Sequence, residues 1–155
     1  LRARSEAEIF DQICTGLVEF GDYRMVTVAV PNDDPGKTFR YASIAGYDDG
    51  YLANAHITWN DEPTGNGPLG MAIKTGTVQV NQDFESNPMA RPWREEALRH
   101  GYRSSIVLPL RGHQGPVAAA LVIYAGEPEA FDAEEVQLLT ALADDISYAL
   151  SRIAS

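Results

Sequence analysis

The chain is poor in the groups on which most protein chemistry depends. Of 155 residues only one is a cysteine. That residue, Cys14, excludes an internal disulfide and any site built from several thiolates. A lone thiol suits a reducing compartment, so a cytoplasmic setting is expected. Basic residues are scarce: 12 Lys and Arg stand against 22 Asp and Glu, a formal net charge of −10. Such a surface repels phosphate backbones and anionic lipid, which argues against nucleic-acid and membrane partners. No apolar run approaches the roughly 20 residues that span a bilayer, and no charged-then-apolar leader opens the chain. Internal repeats, low-complexity tracts and linkers are missing too. The sequence begins Leu1-Arg2-Ala3-Arg4 without a methionine and reads as an excised piece of a longer protein. What is present is 45% hydrophobic, enough for one domain with a real core over residues 1–155.

Start and stop signals are clearest at the two ends. Ser5-Glu6-Ala7-Glu8 fits a capping box, and Ile9, Phe10, Ile13, Cys14 and Leu17 follow at helical spacing, with Gly21-Asp22 as the stop. Cys14 lies on that stripe and reads as a small buried hydrophobe. At the other end, Asp132 is a good N-cap, Glu135 completes a box and Phe131 can staple onto Val136. Leu139, Leu142, Ile146, Ala149 and Ile153 then repeat as a heptad seam, flanked by Leu138, Ala141, Asp145 and Leu150. An amphipathic helix on a sheet and a coiled-coil partner face both fit this pattern.

Between these helices the pattern is mainly β. Met25–Val30 and Thr38–Ala45 flank an acidic turn, Pro31-Asn32-Asp33-Asp34-Pro35-Gly36, and should pair as a hairpin. The turn lacks the glycine and terminal glutamate of a calcium loop, so it reads as a solvated loop. Residues 47–66 have no period and carry Tyr47, Tyr51, His56 and Trp59. A short helix closes at Gly76, a strand covers Thr77–Asn81, and Arg91–His100 is expected to be helical with Pro92 in its first turn. Arg103–Leu110 and Pro116–Tyr124 form a second hairpin around Arg111-Gly112-His113-Gln114-Gly115. The order helix–strand–strand–cover–strand–helix–strand–strand–helix predicts an α+β fold. Its central antiparallel sheet carries the terminal helices on one face and an irregular cover on the other.

Catalytic chemistry is hard to find. Gly65-Asn66-Gly67-Pro68-Leu69-Gly70 spells G-x-G-x-x-G, but Asp61-Glu62-Pro63 precedes it where a dinucleotide fold needs a strand. The amides at the start of the following helix could still face an anionic group. Glu95 and Glu96 are adjacent on a helix and cannot converge; with Arg94, Arg99 and Arg103 nearby they read as ion-paired surface. Ser104 and Ser105 have no histidine partner that the sequence can place. Alternation puts one of these serines on each face of the strand. Large aromatics in irregular segments either plug a fold or wall a ligand site, which singles out Trp59 and Trp93, with Tyr41 and Tyr124 as floor.

The order of elements, with Gly67-Pro68-Leu69-Gly70, Ala72-Ile73-Lys74-Thr75-Gly76, Val80-Asn81-Gln82-Asp83, Trp93–Leu98 and Tyr102–Leu110, resembles the GAF domain over nearly the whole chain. The Tyr102–Leu110 strand is similar to that of bacterial GAF domains upstream of cyclic-di-GMP or histidine kinase output domains. The resemblance implies a pocket beneath the cover, lined by Tyr41, His56, Trp59, Asn81, Asp83, Trp93, Ser104, Ile106 and Tyr124. Known ligands of the family include cyclic nucleotides, bilins, haem, nitrate and small metabolites. Asn81-Gln82 and Phe84-Glu85 only echo the cyclic-nucleotide signature, and Cys14 is misplaced for a bilin. His56, beside Trp59, is the histidine to weigh as a haem ligand; His113 in a Gly-flanked turn and His100 at a helix end before Gly101 read as surface positions. The cofactor is left open.

The expected function is a non-enzymatic module that binds a small molecule and signals through its terminal helices to a covalently linked output domain. It would act as a homodimer paired through the Ser5–Leu17 and Val136–Ile153 helices. A ligand-free dimerisation spacer is the alternative. A free methionine sulfoxide reductase-like enzyme is more remote, because thiol exchange lacks a second cysteine.

Overall fold

The structure, a computed structural model, describes residues 5–112 and 115–154. Its first element starts where the sequence places the strongest signal. The Ser5 hydroxyl accepts the Glu8 N–H at 3.2 Å and the Glu8 carboxylate accepts the Ser5 N–H at 3.3 Å, closing the capping box of α1 (Glu6–Gly21). Asp22, at φ 60°, ends the helix. Phe10 and Cys14 are the residues of α1 that become fully buried.

β1 (Met25–Pro31) and β2 (Phe39–Gly46) pair antiparallel. In the acidic turn between them, Asp34 accepts both the Thr38 hydroxyl, at 2.5 Å, and the Thr38 N–H, at 2.9 Å. Those bonds favour the charged carboxylate and hold its pKa below the usual value. The chain then crosses the sheet as α2 (Tyr51–Asn54), a 3-10 turn at Pro63–Gly65, and α3 (Pro68–Thr75). β3 (Gln79–Asn81) leads to a second 3-10 turn at Pro88–Trp93 and to α4 (Arg94–Arg99). The expected continuous Arg91–His100 helix is therefore split: Pro92 cannot donate an N–H, and the tighter turn runs up to Trp93. β4 (Ser104–Arg111), β5 (Val117–Ala125) and α5 (Ala133–Ala154) complete the fold, with Asp132 accepting the Glu135 N–H at 2.8 Å.

The five strands run β2-β1-β5-β4-β3, and every neighbouring pair is antiparallel. The α+β architecture is as the pattern predicts. Alternation along the buried strands splits the core in two. Val26, Val28, Ile106, Leu108, Leu121 and Ile123 meet Phe10 and Cys14 of α1 and Leu139, Ala143, Ile146 and Leu150 of α5. Met25, Ala29, Val107, Ala120, Val122 and Tyr124 meet the cover elements α2, α3 and α4 on the other face. The seam on α5 is thus divided. Leu139 and Ile146 are spent on the domain's own core, Leu142, Ala149 and Ile153 are half-buried, and Leu138 is 67% exposed.

Among the described residues, no helix is long and apolar enough to cross a membrane.

Candidate functional site

The cover face holds a cavity of about 30 Å³. β4 supplies Ser105 and Val107, and β5 supplies Val122 and Tyr124 as its floor. Tyr51 of α2, Ile57, Pro68 and Leu69 of α3, Phe84, Ala90 and Trp93 complete the lining. A space of this size admits one or two water molecules, so the site is largely filled by its own side chains. No charged residue lines it.

Aromatic packing sets its shape. Tyr51 lies edge-on to Tyr102, with centroids 4.9 Å apart, and to Tyr124 at 5.7 Å; Tyr124 stacks on Phe84 at 6.2 Å. Burial pushes the Tyr51 and Tyr124 hydroxyls well above their usual pKa, so both remain neutral phenols. Trp93 is 7% exposed, and its Nε1–H donates to the His56 carbonyl at 3.0 Å.

The glycine motif explains how the indole fits. A Cβ on Gly67 would overlap the Trp93 ring, one on Gly70 would overlap the Gly65 carbonyl, and one on Gly65 would overlap the backbone of Asn60. G-x-G-x-x-G here is a packing device that lets the cover loop, α3 and Trp93 approach closely. Pro68 removes one amide and Trp93 abuts Gly67, so the start of α3 faces an indole where the sequence suggested an anion.

Of the nine candidate residues, two line the cavity: Trp93 and Tyr124. Ser104 and Ile106 lie away from the cavity. Ser104 donates its hydroxyl to the Glu127 carbonyl at 2.6 Å, and Ile106 belongs to the core beneath α1 and α5. Their neighbours Ser105 and Val107 take the cavity positions. Alternation holds, but with the opposite phase, because pairing of Ser105 with Tyr124 and of Val107 with Val122 turns those residues toward the cover.

Tyr41 sits on the cover face opposite Ala29 and packs beside the cavity rather than in it. Asn81 is fully buried opposite Ser105 on β3. Its Oδ1 accepts from the Asp83 N–H at 3.2 Å and from Asn87 Nδ2 at 3.0 Å, which fixes the amide and leaves Nδ2 buried without a partner. Asp83 serves its own turn, accepting the Glu85 N–H at 2.9 Å. Trp59 is half-buried away from the cavity, with Lys37 Nζ 4.2 Å above its ring. His56 is exposed and contributes its carbonyl. His113 lies outside the described residues. Tyr51, Phe84 and Tyr102 were not singled out from the sequence as site residues; the one signal for Tyr51 was its place in the aromatic-rich cover.

Cys14 lies on the inner side of α1, across the sheet from the cavity, fully buried, and burial pushes its thiol up to about 11. Glu95 and Glu96 both pair with Arg99, at 3.2 and 2.8 Å. Among the described residues, no cluster of His, Cys, Asp or Glu has the arrangement of a metal site.

The chain matches the family model described as the GAF domain over residues 3–151. Similar solved structures have diverse roles. Free methionine-R-sulfoxide reductase from Neisseria meningitidis, in complex with its substrate, is 21% identical with a TM-score of 0.75, covering 97% of this chain and 82% of that one. A domain of a two-component sensor histidine kinase protein from Sinorhizobium meliloti is 13% identical, TM-score 0.72, covering 98% and 94%. The GAF domain of a phosphoenolpyruvate-protein phosphotransferase from Coxiella burnetii is 17% identical, TM-score 0.74, covering 97% and 84%. At these identities the likeness is one of fold. No curated protein matches the chain.

Proposed function

The chain belongs to the GAF domain family, and from that premise we propose that it is a non-enzymatic sensor of a small, neutral, largely apolar molecule held between the sheet and its cover. The observation that carries this reading is the cavity itself: aromatic walls, no charged lining and a floor of strand residues. Polar groups that orient a ligand in such sites are few. Ser105, with the unpartnered Asn81 amide across the β3–β4 ladder, would supply donors for one accepting group. Anything larger than water must lift the cover, so binding and movement of Trp93 and α2 are coupled.

Signal would leave through α1 and α5, pairing two copies and connecting to a covalently linked output domain. Support comes from the exposed apolar residues of that layer, Phe20 at 88%, Leu138 at 67% and Tyr148 at 65%. A groove of about 440 Å³ between the helices, lined by Leu17 and Leu142 among others, adds to it. A thiol-based reductase reading gains no support: the one cysteine is buried, protonated and on the wrong face.

The small size of the cavity also favours a second reading, a ligand-free dimerisation spacer. A native mass spectrum of the purified protein, compared with its denatured mass, separates the two. Excess mass on the folded species identifies a co-purified ligand. A bare dimer whose NMR spectrum is unmoved by millimolar benzyl alcohol or indole would refute the sensor in favour of the spacer.

A further inference from the structure

We propose that His100 is a proton-controlled latch on the cover: as an imidazolium it ties the turn at Asp49 to the end of α4 through both ring nitrogens, and as neutral imidazole it must release one. The latch stands on geometry. Nδ1 lies 2.7 Å from the Glu96 carbonyl oxygen and Nε2 lies 3.2 Å from the Asp49 carbonyl oxygen. A carbonyl only accepts, so each nitrogen must carry a hydrogen to bond there, and a neutral imidazole carries one. Deprotonation sets one ring lone pair against a carbonyl lone pair. The Glu96 contact is the shorter and lies within the same helical turn, so the Asp49 contact is the one given up.

That contact matters because the turn beneath it is strained. Asp49 adopts φ 42° and Gly50 φ 79°, and a non-glycine residue in this region is held by its surroundings. Further restraints on the turn are the Tyr102 hydroxyl donating to the Tyr47 carbonyl, the Tyr47 N–H donating to the Arg24 carbonyl at 2.9 Å, and the Tyr47 hydroxyl donating to the Asp49 carboxylate at 3.2 Å. Asp48 adds to them: its carbonyl accepts the Tyr51 N–H at 2.9 Å and its carboxylate accepts the Leu52 N–H at 3.0 Å. Directly after the turn, Tyr51 carries the cavity wall, and its ring meets the His100 ring edge-on at 5.3 Å. The imidazole therefore touches both the turn and the wall that a ligand would displace.

Groups of both signs face it. From α4 comes the Glu96 carboxylate and from the turn Asp49, each favouring the charged ring. The rings of Tyr47, Tyr51 and Tyr102 surround the imidazole. From β1, Arg24 donates to the His100 carbonyl at 2.7 Å and lies over Tyr47, and its positive charge opposes protonation. The hydrogen bond to Glu96 dominates and, with the Asp49 bond, raises the imidazole pKa above 6.5 against a smaller loss from burial. The native state thus holds the proton more tightly than the unfolded chain. The latch is complete below pH 6.5 and is lost as pH rises through the raised native value.

That the latch governs ligand entry rests on the cavity reading above; the latch itself does not. The test is a ¹⁵N–¹H NMR titration of the His100 ring, with amide exchange at Leu52 and Asn54 measured in the same samples. Both ring nitrogens should be protonated well below the midpoint, and the midpoint should lie above 6.5. Protection at Leu52 and Asn54, corrected for intrinsic exchange, should fall roughly fivefold as the midpoint is passed, as loss of one ordinary hydrogen bond implies. In His100→Gln the protection should be independent of pH. A midpoint at or below 6.5, or protection in the native chain that ignores the titration, would overturn the latch without any variant. Benzyl alcohol in the same samples reports on the cavity separately: failure to bind it would sink the ligand site and leave the latch standing.

Discussion

Replacing Trp93 by alanine tests whether the indole is the wall of a cavity or merely surface filling. The side chain is 7% exposed and its one polar atom bonds to the carbonyl of an exposed residue, His56. That carbonyl regains water when the indole is removed, so the loss is almost entirely apolar packing. Truncations of this kind cost about 3–5 kcal/mol. The vacated volume joins the existing 30 Å³ and approaches the scale of engineered apolar cavities, about 150 Å³, that take up benzene. Free indole should therefore refill it. At an indole concentration ten times its dissociation constant, the variant should regain about 1.4 kcal/mol. Urea unfolding followed by far-UV circular dichroism, with and without indole, measures both quantities. A loss below about 1 kcal/mol would show that Trp93 does not pack as described. A full loss without rescue would show that the cover collapses onto Ser105 and Val107, and the cavity argument would fail.

Three further outcomes follow from named contacts. Gly67→Ala introduces no backbone strain, since φ is −79°, but sets a methyl into the Trp93 ring, and should cost about 1–3 kcal/mol; in the Trp93→Ala background the cost should vanish, and an additive double-mutant cycle would refute the contact. Leu138→Glu should leave stability within about 0.5 kcal/mol, because the residue is exposed, yet convert a dimer to monomer in light scattering; an unchanged dimer would move the pairing face away from α5. The Cys14 thiol, raised from 9.0 to about 11, contributes stability that is fully present below pH 9 and is lost from pH 9 to 11; Cys14→Ala should lessen the decline over that range in urea titrations, and an identical profile would show that the buried tyrosines alone are responsible.

The G-x-G-x-x-G run shows how a motif can be legible and its meaning not. Its spacing is read from the chain, and its failure as a dinucleotide site follows from the residues before it. What the glycines accommodate, however, lies elsewhere: the Trp93 indole is 26 positions beyond Gly67, and Asn60 precedes the motif.

By itself the sequence determined the local elements: the capping box at Ser5, the stop at Asp22, the hairpins, the start of α5 after Asp132 and hence the α+β order. These depend on neighbours within a few residues, whose periodicity and hydrogen-bonding preferences are written in line. Only the tertiary structure decided which face of β4 meets the cover. Ser104, Ser105, Ile106, Val107 and Leu108 are all buried, so no polar alternation marks the outer face, and the phase comes from pairing with β3 and β5. The same holds for Tyr51, Phe84 and Tyr102, which meet Tyr124 from three separate segments. It holds equally for His100, whose partners Glu96 and Asp49 lie 4 and 51 residues away. A sequence pattern reports the near partner; only the closed chain brings the distant one within reach.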